Sequence, residues 1–200
     1  MKINMFSTLR TVALATGLSA VVSFGAQAIT ISSTQLTAAQ LGAMTPQSNP
    51  LATTVTGTVF ENVVGSISGV RRSPWQGSAN DAAGQYTSVS KGSSATYDFG
   101  SLQSSFSFIW GSPDDYNNLL IKLIAGDALL ETINGVAAQP PVAIGASFVS
   151  VSGVSFDRLV FVSTTNNAFE FANLKVPEPS SLALVGLGLL GVGFSRRKRR

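Results

Sequence analysis

Cysteine and histidine are both absent from this 200-residue chain, and charge is sparse at 12% of residues. Without cysteine there is no disulfide framework, no lipid-anchored N-terminal cysteine and no thiolate metal site. Without histidine there is no Ser-His-Asp triad, no Cys-His dyad and no imidazole zinc ligand. Phosphate-cradling loops are missing as well: no G-x-x-x-x-G-K-S/T occurs, and no G-x-G-x-x-G follows a strand. We therefore expect no catalytic residue, no metal ligand and no resident cofactor, and a protein that is not an enzyme. What remains is plentiful in apolar residues, which make up 44% of the chain.

Positive charge is also scarce where it would matter for nucleic acid. The formal net charge is +3 and the pI about 9.5. Yet Lys2 and Arg10 lie at the start, and Arg196, Arg197, Lys198, Arg199 and Arg200 close the chain. The stretch between holds six cations (Arg71, Arg72, Lys91, Lys122, Arg158 and Lys175) against ten acids, a net of −4. A mildly acidic body does not suit phosphate binding, which needs a basic patch on a folded surface. Basic clusters at apolar ends suit a membrane-topology signal instead.

The N-terminus has three parts. Met1 to Arg10 is short and basic, TVALATGLSAVVSF from Thr11 to Phe24 is apolar, and Ala26-Gln27-Ala28 is a small-x-small site. This layout predicts a secretory signal peptide over residues 1–28, cleaved after Ala28 and handled by the general secretion machinery. At the other end, Ser180 to Phe194 gives 15 residues without charge. As a helix they span roughly 22 Å. A full span takes about 20 residues, so this one needs snorkelling arginines or a thinned bilayer. Arg196, Arg197, Lys198, Arg199 and Arg200 are the expected membrane stop, facing the cytoplasm.

Between body and tail stands Val176-Pro177-Glu178-Pro179-Ser180. The two prolines fix the backbone and forbid regular hydrogen bonding, so the stretch is extended and open to a processing enzyme. Pro177, Glu178 and Pro179, the glycine-rich apolar run and the terminal basic cluster together resemble the PEP-CTERM sorting tail of bacterial surface proteins. The resemblance covers residues 176–200: motif 176–180, apolar transmembrane helix 181–194 and basic cluster 196–200. It implies a partner, an exosortase, which is a membrane-embedded transpeptidase-like enzyme. It further implies an inner-membrane precursor cut near the motif, and a product at the cell surface or outside the cell. The family is associated with Gram-negative bacteria that make exopolysaccharide and biofilm. Pro177, Glu178 and Pro179 are then substrate residues.

The body, residues 29–175, reads as one all-β domain, a β-sandwich of jelly-roll-like form. Strands are expected at 54–60, 94–99, 105–110, 119–124, 128–133, 146–152, 158–163 and 168–176. Phe106, Phe108 and Trp110 share one face, and Phe169 and Phe171 share a face opposite Glu170 and Ala172, which predicts strands with one buried side. Gly126-Asp127 marks a hairpin turn, Asn134-Gly135 a further turn, and Thr37–Gly42 one helical turn. The close pair Phe169 and Phe171 resembles the last strand of carbohydrate-binding jelly rolls and of PEP-CTERM surface proteins. The segment from Trp110 to Asn118 resembles one found in a group of exosortase-dependent surface proteins.

Two loops carry candidate chemistry. Trp110, Asp114, Asp115, Tyr116 and Asn117 form a candidate ligand loop, with rings to stack on a sugar and oxygens for it or for Ca²⁺. The competing reading is a turn set by Pro113 and Asp114, otherwise solvated. Arg71-Arg72-Ser73-Pro74-Trp75 pairs charge with an aromatic, as recognition of an acidic glycan requires. The competing reading is an exposed loop with Trp75 tucked into the edge of the sandwich. Glu61, Asp114, Asp115, Asp157 and Glu170 are the carboxylates from which a glycosidase pair would be drawn. The leading expectation is a non-enzymatic surface or matrix protein. A carbohydrate-binding module and a carboxylate-dependent hydrolase are the alternatives.

Overall fold

The computed structural model describes residues 29–135 and 145–177. Nine strands, one short α-helix and a 3-10 turn at Ala125–Asp127 form there: β1 Thr30–Gln35, α1 Ala38–Ala43, β2 Thr54–Thr56, β3 Val59–Val63, β4 Tyr86–Val89, β5 Ser93–Gly111, β6 Asn117–Leu123, β7 Ala128–Asn134, β8 Ser147–Ser163 and β9 Phe169–Lys175. All pairings are antiparallel. They join into a single nine-stranded sheet of order β3-β4-β9-β5-β8-β6-β7, with β1 on β8 and β2 on β5.

The long pair β5 and β8 organises everything else. The sequence divides each into two strands, with gaps at 100–104 and 153–157. The structure runs each strand through its gap and bends there. From the Asp98–Arg158 pair to the Ser105–Ser152 pair, seven residues of β5 span six of β8. That one extra residue is a bulge, which turns the strand and increases its twist. It also flips parity: Ala95 and Tyr97 point inward before the bend, Phe106, Phe108 and Trp110 after it. Gly100 and Gly153 take positive φ in the two bends, a conformation that L side chains avoid.

Two arms result. The first half of β5 and the second half of β8 carry β2 and β6, with β7 beyond. The other halves carry β9 and β1, with β4 and β3 beyond. The arms fold face to face, since Phe161 of one stacks on Phe171 of the other at 3.9 Å and Tyr97 meets Phe171 edge-on at 6.1 Å. One continuous hydrogen-bonded sheet therefore supplies both arms. Its doubling back encloses the aromatic core around Phe106, Phe108, Trp110, Phe156, Phe161 and Phe169.

The expectation of one buried side per strand fails for the arm carrying β9. Its outer face holds a second core of Leu36, Leu41, Trp75, Tyr86, Ile109 and Ala172. The segment around α1 and the long connection from β3 to β4 cover it. The α1 turn, expected from Thr37, starts with a capping box in which Thr37 and Gln40 satisfy each other's backbone amides. The β6–β7 hairpin forms as expected, with Gly126 at φ 75°. β1 and β4, which lack strong apolar alternation, had no counterpart in the sequence reading.

The end of β9 is pinned. Its pairing with β5 shifts register between Ser107 and Ile109, and Asn173 adopts φ 52°. Leu174 N–H then donates to Asn49 Oδ1 at 2.9 Å, while Asn49 Nδ2 donates to Thr87 Oγ1 and to the Phe171 carbonyl, both at 3.0 Å. Asn49 therefore staples the 45–53 segment to β4 and β9. Asn49→Ala leaves a buried amide and carbonyl without partners, at a cost of about 1–3 kcal/mol each. Urea denaturation is expected to show a loss of about 3 kcal/mol, and a loss near zero would mean that the staple carries no load.

Among the described residues no helix is long and apolar enough to cross a membrane. The expected signal peptide with Ala26 and Ala28 lies outside the described residues. So do Glu178, Pro179, the apolar run 181–194 and Arg196, Arg197, Lys198, Arg199 and Arg200.

Candidate functional site

The ends of β5 and β9 meet at the Gly111–Glu170 register pair. Over this point lies the loop that contains Arg71 and Arg72. A Cβ on Gly111 would stand 2.8 Å from Pro74 Cγ, so glycine is what lets the loop seat closely. Glu170 alternates with Phe169 and Phe171 as expected, but its face is covered, and the residue is only 3% exposed. Its Oε1 accepts the Arg72 backbone N–H at 2.7 Å. Burial pushes its carboxyl up to about 8, and the nearby Asp114 adds to the rise, while the Arg72 amide and charge pull the other way. Glu170 is therefore mostly uncharged at neutral pH.

The loop is shaped by a tight turn in which Ile67 and Arg71 exchange backbone hydrogen bonds at 2.9 and 3.0 Å, with Gly69 at φ 72°. Asn167 holds that turn from below, donating Nδ2 to the Gly69 carbonyl at 3.2 Å and accepting Lys91 N–H at 2.8 Å. Between the turn and the β9 entry opens a cleft of about 420 Å³, with Arg71, Arg72, Gln76, Asn167 and Glu170 among its lining residues. Arg71 sits with Cζ 5.0 Å from the centre of the Phe60 ring, a cation–π contact. Arg72 Nε donates to Gln76 Oε1 at 2.6 Å.

The candidate ligand loop takes a different form from the one its composition suggests. Trp110 is fully buried and stacks on Phe169 at 4.4 Å, so its ring faces belong to the core and not to a sugar. Asn117 is also fully buried, donating Nδ2 to the Ala168 carbonyl at 3.2 Å and accepting from Ser163 Oγ at 3.2 Å. Tyr116 OH donates to Asp114 Oδ2 at 2.6 Å, and burial followed by that carboxylate raises its phenol. The Asp115 carbonyl accepts Asn134 Nδ2 at 2.6 Å, and the residue itself is exposed. These bonds make a braced turn at the rim. Among the described residues no group of three or more acidic side chains is placed to hold a metal ion.

Trp75 is buried too, with Nε1 donating to the Gln85 carbonyl at 3.1 Å. The two sequence clusters nevertheless converge, because Asp114 and Arg72 both act on Glu170. Glu61 and Asp157 lie apart, each accepting a backbone amide at 2.6 Å, from Ala52 and Ile124. Asn167 and Asn49 carry no signal in the sequence beyond their turn propensity, and only the fold gives them their tasks.

Pro177 leaves β9 after one intervening residue, so the folded body passes straight into its C-terminal segment. No curated protein and no solved structure matches the chain. Residues 175–200 match the family model of the PEP-CTERM protein-sorting motif, so the chain carries that motif, beginning at the last residue of β9.

Proposed function

We propose that this protein is exported as a membrane-held precursor, recognised by an exosortase, and displayed at the cell surface or in the surrounding exopolysaccharide as a non-enzymatic, saccharide-associated body. Residues 1–28 act as the signal peptide, 181–194 as the short membrane helix, and 196–200 as its cytoplasmic stop. The body works as a jelly-roll-like sandwich whose two layers are the folded arms. The sorting motif carries this reading. Its position supports the reading further: the motif starts where the Asn49 staple fixes the end of β9, so the sorting segment follows directly on an anchored strand. The polar cleft beside Glu170 supports a binding task.

Replacing Pro177, Glu178 and Pro179 together with alanine is expected to trap a longer form in the inner membrane. Intact mass of the cell-associated protein measures this directly. The native protein should lack both ends, and the variant should retain the terminal arginines. Identical processing of the two would overturn the proposal.

A further inference from the structure

Among the described residues, Lys122 and Arg158 are engaged with carboxylates: Lys122 with Asp127 at 2.6 Å, and Arg158 with Asp98 at 2.6 Å and Asp127 at 3.0 Å. Arg71 and Arg72 form no such ion pair, yet the fold brings both to one cleft. The remaining free edges matter. Arg72 commits Nε to Gln76, which leaves its two terminal nitrogens as a fork of the geometry that grips a carboxylate. Arg71 is held over Phe60 and beside the Tyr86 phenol, whose ionisation its charge favours, while its Nε is buried without a hydrogen-bond partner. Beneath them Glu170 carries little charge at neutral pH and does not repel an anion. Asp114, which also acts on Glu170, is not a lining residue, and its carboxylate is taken by Tyr116.

We propose that this cleft binds the carboxylate of an acidic saccharide, a uronic-acid unit, with the Arg72 fork gripping the carboxylate and Arg71 supplying a second cation. The inference rests on the saccharide-associated reading of the body and narrows it to charged sugars. The rest of the lining fits sugar chemistry: Ser66, Ser68, Gln76 and Asn167 offer hydroxyls and amides to ring hydroxyls. A cleft of about 420 Å³ is also within the range of small-molecule sites.

Isothermal titration of the full-length protein in detergent tests it, with three probes: an oligogalacturonate, the same oligosaccharide with its carboxyls reduced to alcohols, and oligoglutamate. The oligogalacturonate is expected to bind, the reduced sugar about tenfold or more weaker because it loses the charge-assisted fork, and oligoglutamate about tenfold or more weaker because it offers no ring hydroxyls to the polar lining. Arg72→Leu should cost about tenfold, and Arg72→Lys, which keeps charge but loses the fork, should fall between. Lys122→Gln, a cation elsewhere on the body, should leave binding unchanged. If Arg72→Leu does not fold, Arg72→Lys decides. Equal binding of the reduced sugar overturns the charge preference but leaves a neutral-saccharide body standing. Equal binding of oligoglutamate overturns the sugar assignment. No binding of any probe, or binding indifferent to Arg72, overturns the site, while terminal processing remains a separate result.

Discussion

Phe161→Ala is expected to lower stability by about 3–5 kcal/mol. Phe161 lies where the two arms close. Its ring stacks on Phe171 at 3.9 Å and meets Phe169 at 5.3 Å, Phe108 at 5.5 Å and Tyr97 at 5.6 Å. Two of these partners sit on β9, and the other two on opposite sides of the β5 bend. Removing the ring takes away its transfer energy and leaves a cavity bounded by rings that have few ways to collapse. Domains of this size are stable by only about 5–15 kcal/mol, so the variant should be marginal. Urea unfolding measures the loss. Leu129→Ala is the control, since Leu129 is 56% exposed and its truncation should change stability by less than about 0.5 kcal/mol. A Phe161 loss as small as that of the control would mean that the arms do not pack against each other.

The second large effect concerns pH. Glu170 has a folded-state carboxyl near 8 against an ordinary value of 4.5, chiefly through burial. The folded state therefore holds the proton more tightly than the unfolded state. The sign follows: this group's contribution is fully present below about 4.5, declines as pH rises, and is gone above about 8. The gap from 4.5 to about 8 corresponds to on the order of 5 kcal/mol. The groups acting on Glu170 are Asp114 and Arg72, and its own charge is felt at Tyr86 and Tyr116. Glu170→Gln keeps an oxygen to accept the Arg72 amide and removes the titration. The variant should match the native protein near pH 5 and exceed it increasingly toward pH 9, read as melting temperature across about pH 5 to pH 9. Parallel curves would show that Glu170 ionises in the fold at no cost.

The sequence made the strand cores legible, because alternation survives wherever one face is apolar. Phe106, Phe108 and Trp110 are inward together, as their spacing requires. The hairpin at Gly126 and the cap at Thr37 were legible for a local reason, since both depend on residues a few positions apart. The bends are not legible: alternation lapses at 100–104 and 153–157, so each long strand reads as two. A bulge and a small polar run look alike in sequence, and only the partner strand tells a bend from an end.

The candidate loop shows the limit most clearly. Trp110 heads a polar run, so composition assigns it to the loop. Its parity with Phe108 assigns it to the core, and packing decides for the core because a stacked ring buried on Phe169 gains more than one left wet. Glu170 carries the opposite lesson. Alternation sets it opposite the phenylalanines, and a strand with one buried side would leave it in water. The long connection from β3 to β4 returns over that face and buries it.

Residue order alone determined the all-β character of the body and the sorting motif at its end, because both rest on local chemistry: period-two alternation in one case, and proline, apolar run and arginines in contiguous order in the other. Tertiary structure decided that one sheet closes on itself, that Asn49 pins the strand before the motif, and that Arg71, Arg72 and Glu170 share a cleft. Glu170 stands 98 positions from Arg72 in the chain, and no local pattern encodes a contact whose free energy is gained only when distant segments are brought together.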